Sequence, residues 1–76
     1  MTMAASTENL TTMANALFVS TLQPSDAPAI EQVEEAIVSC LRTYRATGCA
    51  VRAAAEYGEH PEEAASRMRW ALSVVA

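Results

Sequence analysis

The sequence predicts an all-α domain of three or four helices. About half of its 76 residues are apolar, and many of these are alanine, which favours helix over strand. Apolar positions recur at steps of three and four along several stretches. One short run, LFVSTL, has strand-like composition, but no partner strand exists to satisfy its backbone ladder.

Residues 1–6 read as a frayed terminus. Ser6 or Thr7 can cap a helix over residues 8–21, in which Leu10, Met13, Ala14, Leu17 and Phe18 follow at helical spacing. Residues 23–28, QPSDAP, form a connector. Within it Asp26 or Ser25 can cap the next helix, and Pro28 fits a first turn, where its missing N–H leaves nothing unpaired. The run that follows is the clearest helix. Ile30, Val33, Ile37, Cys40, Leu41 and Tyr44 share one side, and Glu31, Glu34, Glu35 and Arg42 the other. Acids lie early and Arg42 and Arg45 late, which suits the helix dipole, and Gly48 marks the end. CAVRAAAEYG is a short helix closed by Gly58. Pro61 starts the last helix, with His60 or Glu59 at the cap and Glu62 and Glu63 in the first turn. Its expected apolar face is Ala64, Ala65, Met68, Ala71, Leu72 and Val75. With no internal repeat, residues 1–76 form one domain.

A chain this short buries only about 60% of the surface its unfolded form exposes, so a partner or a second copy would help it. The net charge is −4 and lysine is absent. Such a field does not draw the chain to phosphate backbones or anionic membranes, and it favours a protein partner. No apolar run approaches the roughly 18 residues of a membrane span, and no basic segment precedes an apolar core as in a secretory signal. Cys40 and Cys49 have no second pair with which to build a disulfide framework, so the expectation is a cytoplasmic protein with reduced thiols.

Catalytic chemistry is not indicated. No nucleophile, base and oxyanion donor can be grouped, and no glycine-rich phosphate loop occurs. Cys40, Cys49 and His60 are the only soft metal ligands, without the spacing or the number of a closed zinc site. Neither metal nor cofactor is expected. Cys40 reads as a core residue, and Cys49, near a helix start, as structural despite a position that can lower a thiol pKa. The Glu31, Glu34, Glu35 stripe with Asp26 reads as a solvated face, or as a dock for a basic partner.

The C-terminal third, Ala50 to Leu72, resembles a DNA-binding helix-turn-helix. Ala54 is a small residue four before a turn glycine, Gly58, and Pro61 opens the second helix. Ser66, Arg67, Met68 and Ala71 match the Ser-Arg-apolar-x-x-Ala string that closes the recognition helix of sigma-factor region 4 and related response regulators. The resemblance implies a helix-turn-helix-like hairpin in which Ala54 faces the second helix and Gly58 takes the left-handed conformation. The outward side of the second helix would enter the major groove.

With Met68 at the centre of the buried face, Glu63, Ser66, Trp70, Ser73 and Val74 point outward and Arg67 and Arg69 flank them. Arg52, Arg67 and Arg69 are then the candidate DNA or phosphate contacts, opposed by Glu56, Glu59, Glu62 and Glu63. Trp70 with Val74, Glu63 and Ser66 has the composition of an interaction surface. The alternative is that the N-terminal helix covers this strip with Leu10, Met13 and Leu17. The expected function is a small transcription-associated regulator or adaptor acting through helix-mediated contacts, with itself as a two-fold homodimer or with the transcription machinery. Direct DNA binding as a dimer and a structural or assembly role are the alternatives.

Overall fold

Helix α1 spans Thr7–Val19, α2 Ile30–Glu59 and α3 Pro61–Val75, in a computed structural model that describes residues 7–76 and the side chains from residue 9 onward. No strand occurs among the described residues, so the domain is all-α. The expected frayed terminus and a cap at Ser6 lie outside the described residues.

Helix α1 buries Ala14, Ala16, Leu17 and Phe18, with Leu10 and Met13 half-buried beside them. Four buried positions in five residues mean that the end of α1 is enclosed on more than one side. The Ser20 hydroxyl donates to the Leu17 carbonyl at 2.6 Å as the helix stops. Pro24–Asp26 then forms a 3-10 turn, closed by the Gln23 N–H donating to the Asp26 carboxylate at 2.9 Å. Asp26 therefore caps this turn and not α2, because the left-handed Ala27 (φ 45°) carries the chain away from it. Pro28 lies ahead of α2. Its first turn is held instead by Gln32 Oε1, which accepts the Ala29 N–H at 2.8 Å.

Helix α2 has a sharp corner where two helices were expected, but the break falls at Arg45 (φ 65°, ψ 169°) rather than at Gly48. Contacts eight and nine residues apart cross it, although a straight helix would hold such residues about 12 Å apart or more. The Arg52 guanidinium carbon stands 4.0 Å from the Tyr44 ring centre. The Cys49 thiol donates to the Cys40 carbonyl at 3.7 Å. Gly48 sits inside this fold-back, where a β-carbon on it would lie 3.0 Å from the Tyr44 β-carbon. Its lack of a side chain thus serves close approach and not helix termination.

Gly58 lies within α2, and no described glycine has positive φ. His60 alone (φ −138°, ψ 68°) separates α2 from α3. Pro61 explains so short a connection. Its ring cannot continue α2 and restricts the residue before it, yet it is well suited to the first position of a new helix. The left-handed glycine turn expected at Gly58 is therefore not built. The small residue at the helix contact is also shifted by one. Ala53 is buried together with Ala64 and Phe18, whereas Ala54 is exposed. A one-residue shift turns the face by about 100°, and that face is set by Cys49 and Ala53, both buried and four apart.

The main core joins Ala14, Ala16 and Leu17 of α1 with Val33, Ile37 and Cys49 of α2 and Ala71 of α3. From α3, Met68, Trp70, Val74 and Val75 pack on it half-buried. Leu72, expected on the apolar face, is 41% exposed.

The two glycines should respond differently to a methyl group. Gly58→Ala meets no neighbour within 4 Å and should raise stability by up to about 1 kcal/mol through helix propensity. Gly48→Ala must displace Tyr44 and should be the less stable of the two variants. Thermal unfolding of both checks the ranking; a loss of stability in Gly58→Ala would mean the helix does not run through it.

Candidate functional site

Arg67 is the side chain whose place departs furthest from expectation. It faces inward. Its Nε donates to the Phe18 carbonyl at 2.8 Å, and its Nη2 to the carbonyls of Leu22 at 2.8 Å, Ser20 at 2.9 Å and Leu17 at 3.4 Å. Helix α1 has no basic residue in its own last turn, so its terminal carbonyls and the negative end of its dipole are met from α3. The guanidinium carbon also lies 5.1 Å from the Trp70 ring centre and 5.8 Å from that of Phe18. Half-burial lowers its pKa, but arginine starts so high that the cation persists.

This contact decides what α3 presents. The core-facing arc of α3 runs from Trp70 and Val74 through Arg67, Ala71 and Ala64 to Met68, and so centres near Arg67 and Ala71 rather than on Met68. Trp70 and Val74 are accordingly half-buried against the core within one chain, a core to which α1 contributes Leu17. Glu63 and Ser66 remain exposed. The four residues expected to form one interaction surface are thus divided, with Trp70 and Val74 packed on the core and Glu63 and Ser66 turned to solvent. One signal was available in the sequence. Arg67 lies three after Ala64 and four before Ala71, the spacing of a shared face, but a rule that sends charges outward passes over it.

The three candidate phosphate contacts are also separated by their partners. Arg67 is committed to α1. Arg52 lies over Tyr44, and Arg69 is exposed. Arg42, Arg45 and Arg52 are exposed around the corner of α2, in a stretch with no acid between Glu35 and Glu56. At the opposite end of that half-helix, Glu56, Glu59, Glu62 and Glu63 are exposed around the junction with α3. His60 occupies the N-cap position of α3 without a side-chain capping hydrogen bond, and its Nδ1 lies 3.4 Å from Glu63 Oε1. Between α1, the second half of α2 and the start of α3 lies an open groove of about 420 Å³. Phe18 and Ala64 line it together with Arg52, Glu56, Glu63 and Arg67. Tyr57 stacks on Phe18, with ring centres 6.3 Å apart and planes 9° from parallel.

Cys49 is fully buried and Cys40 half-buried, and both are free thiols. Burial pushes both thiols above the ordinary range, and for Cys49 the neighbouring Cys40 adds to the effect while Arg52 opposes it. No group of three or more His, Cys, Asp or Glu side chains could hold a metal ion among the described residues, and no described helix is long and apolar enough to cross a membrane.

Comparison with known families, curated proteins and solved structures finds no match for the chain.

Two outcomes follow from this geometry. Arg67→Met should lower stability by about 2–3 kcal/mol, because charge-assisted hydrogen bonds are lost and half-buried carbonyls are left without a donor. Arg67→Lys should recover only part, since an ammonium cannot reproduce the planar fork. Unaltered unfolding of Arg67→Met would refute the role given to this contact. In the folded protein at mildly alkaline pH, both thiols should alkylate more slowly than in the unfolded chain, with Cys40 before Cys49. Mass-resolved labelling reads the order.

Proposed function

We propose that this chain is a small regulatory or adaptor protein that acts through helix-mediated contacts with a protein partner. The observation that carries this reading is the charge around α3. In a helix-turn-helix, the N-terminal residues of the recognition helix approach base edges, and flanking cations hold the phosphates. Here the start of α3 is ringed by the exposed Glu59, Glu62 and Glu63, and Arg67 is turned into the fold. Such a surface repels a phosphate backbone and complements a basic one. The groove beside it, with Glu56 and Glu63 at its edge and Phe18 in its lining, suits a basic segment that also carries apolar atoms.

The link to transcription rests on the resemblance of residues 50–72 to sigma-factor and response-regulator hairpins. Direct DNA binding as a dimer is the second reading, supported by the acid-free cluster of Arg42, Arg45 and Arg52 at the corner of α2. The half-buried Trp70 offers less to a homodimer than a free tryptophan would.

Binding to random duplex DNA across a salt series separates the two readings. The expected outcome is no binding tighter than the roughly micromolar limit of non-specific association at physiological salt. Tight binding that falls steeply with salt would install the DNA reading. Capture from the native cell should recover polymerase subunits or another basic protein, and charge reversal at Glu56 and Glu63 should abolish that recovery. Equal recovery by the reversed variant would remove the groove from the interface.

A further inference from the structure

We propose that Cys40 and Cys49 form an intramolecular disulfide across the corner of α2 when the protein meets an oxidised low-molecular-weight disulfide such as glutathione disulfide. In a straight helix residues nine apart stand roughly 13 Å apart along the axis, too far for a bond that needs α-carbons about 4.4–6.8 Å apart. The corner at Arg45 removes that obstacle. It brings the Cys49 sulfur to 3.7 Å from the Cys40 carbonyl oxygen. By covalent geometry this places the two α-carbons within about 9 Å of each other. The remaining adjustment is about 2 Å at most against the upper end of the disulfide range.

The hinge for that adjustment lies between the two cysteines. Arg45 holds φ 65° and ψ 169°, a combination that is costly for any residue with a side chain. A segment already held away from its preferred conformation can shift without breaking a regular helix. Gly48 lies in the same segment, pressed against Tyr44 across the corner. The proximity of the thiols is electrostatic as well as geometric, since Cys40 acts directly on the ionisation of Cys49.

Exposure orders the steps. Cys40 is half-buried and reachable, whereas Cys49 has no exposed surface. The Cys40 thiolate attacks one sulfur of the small disulfide, forming a mixed disulfide and releasing one small thiolate. The Cys49 thiolate then attacks the Cys40 sulfur of that mixed disulfide and releases the second. The two protons lost by the protein thiols are taken up by the two released thiolates. Two protein thiols are oxidised to one disulfide, and the small disulfide is reduced to two thiols. Because burial holds both thiols protonated, the exchange is slow at neutral pH and quickens as pH rises. The product would lock the angle between the two halves of α2.

Wild-type protein incubated with glutathione disulfide, acid-quenched, alkylated in denaturant and digested tests the proposal. The expected product is a peptide pair joining Cys40 to Cys49 within one chain, reversed by a small dithiol. Cys49→Ala should stop at a glutathione adduct on Cys40, while Cys40→Ala should react at least about tenfold more slowly because its remaining thiol is buried. Should either variant fail to fold, the wild-type peptide map decides alone. A lasting glutathione adduct in the wild type, a cross-link between chains, or two persistent free thiols would each overturn the proposal.

Discussion

The guanidinium of Arg67, resting on the last carbonyls of α1, is the contact on which the arrangement of this domain depends. A helix ends with carbonyls that lack intrahelical donors and with the negative end of its dipole. Leu17 and Phe18, at the end of α1, are buried, so the carbonyls there lie partly out of reach of water. A planar cation with five N–H donors answers several of them at once, and one side chain reaches the carbonyls of Leu17, Phe18, Ser20 and Leu22. Among the described residues no carboxylate pairs with it. Carbonyl dipoles and the faces of Phe18 and Trp70 take that place. Because the guanidinium must point at α1, the rotation of α3 about its own axis is set, and with it the half-burial of Trp70 and Val74. Phe18, one of the residues capped, also stacks on Tyr57, which ties the second half of α2 to the same place.

The corner in α2 is the second constraint. Arg45 in its unusual conformation costs about 1–3 kcal/mol. The contacts across the corner offset it: Arg52 over Tyr44, and Cys49, which enters the core beside Val33 and Ile37. Without the fold-back, the second half of α2 would run away from the core as an extended rod, and Ala53 could not meet Ala64 and Phe18. The corner also separates charge. Arginines collect at the bend and glutamates at the far end beside α3, so one short chain of net charge −4 carries a basic and an acidic pole.

That polarity bears on the helix-turn-helix resemblance. What the chain shares with such hairpins is a helix, an abrupt turn and a second helix opened by proline. The small-residue contact between the two is also present, at Ala53 and Ala64. The turn glycine and the flanking arginine are not used in the manner the resemblance implies. Gly58 is an ordinary helical residue, and Arg67 works inside the fold. Exposed glutamates stand where a recognition helix would meet DNA, and such a surface repels a phosphate backbone.

Much of the fold was legible in the sequence. Helical period placed Leu17, Val33, Ile37 and Ala71 in the core, proline placed the start of α3, and the absence of a second strand-like run left helices as the means of satisfying the backbone. Local chemistry decides such features, since each depends on neighbours within a turn or two. What the sequence could not show is where a side chain finds a partner that is distant in the chain. Arg67 meets carbonyls nearly fifty residues away, and only the meeting of α1 and α3 makes an inward arginine favourable. The position of the bend had the same origin. Gly48 looked like a helix end because glycine often is one, but its missing side chain answers the approach of Tyr44. The chain breaks at Arg45 because contacts across the corner outweigh the local preference of that residue. Helix content follows from short-range periodicity, whereas the facing of α3, the corner of α2 and the surface left exposed follow from long-range packing.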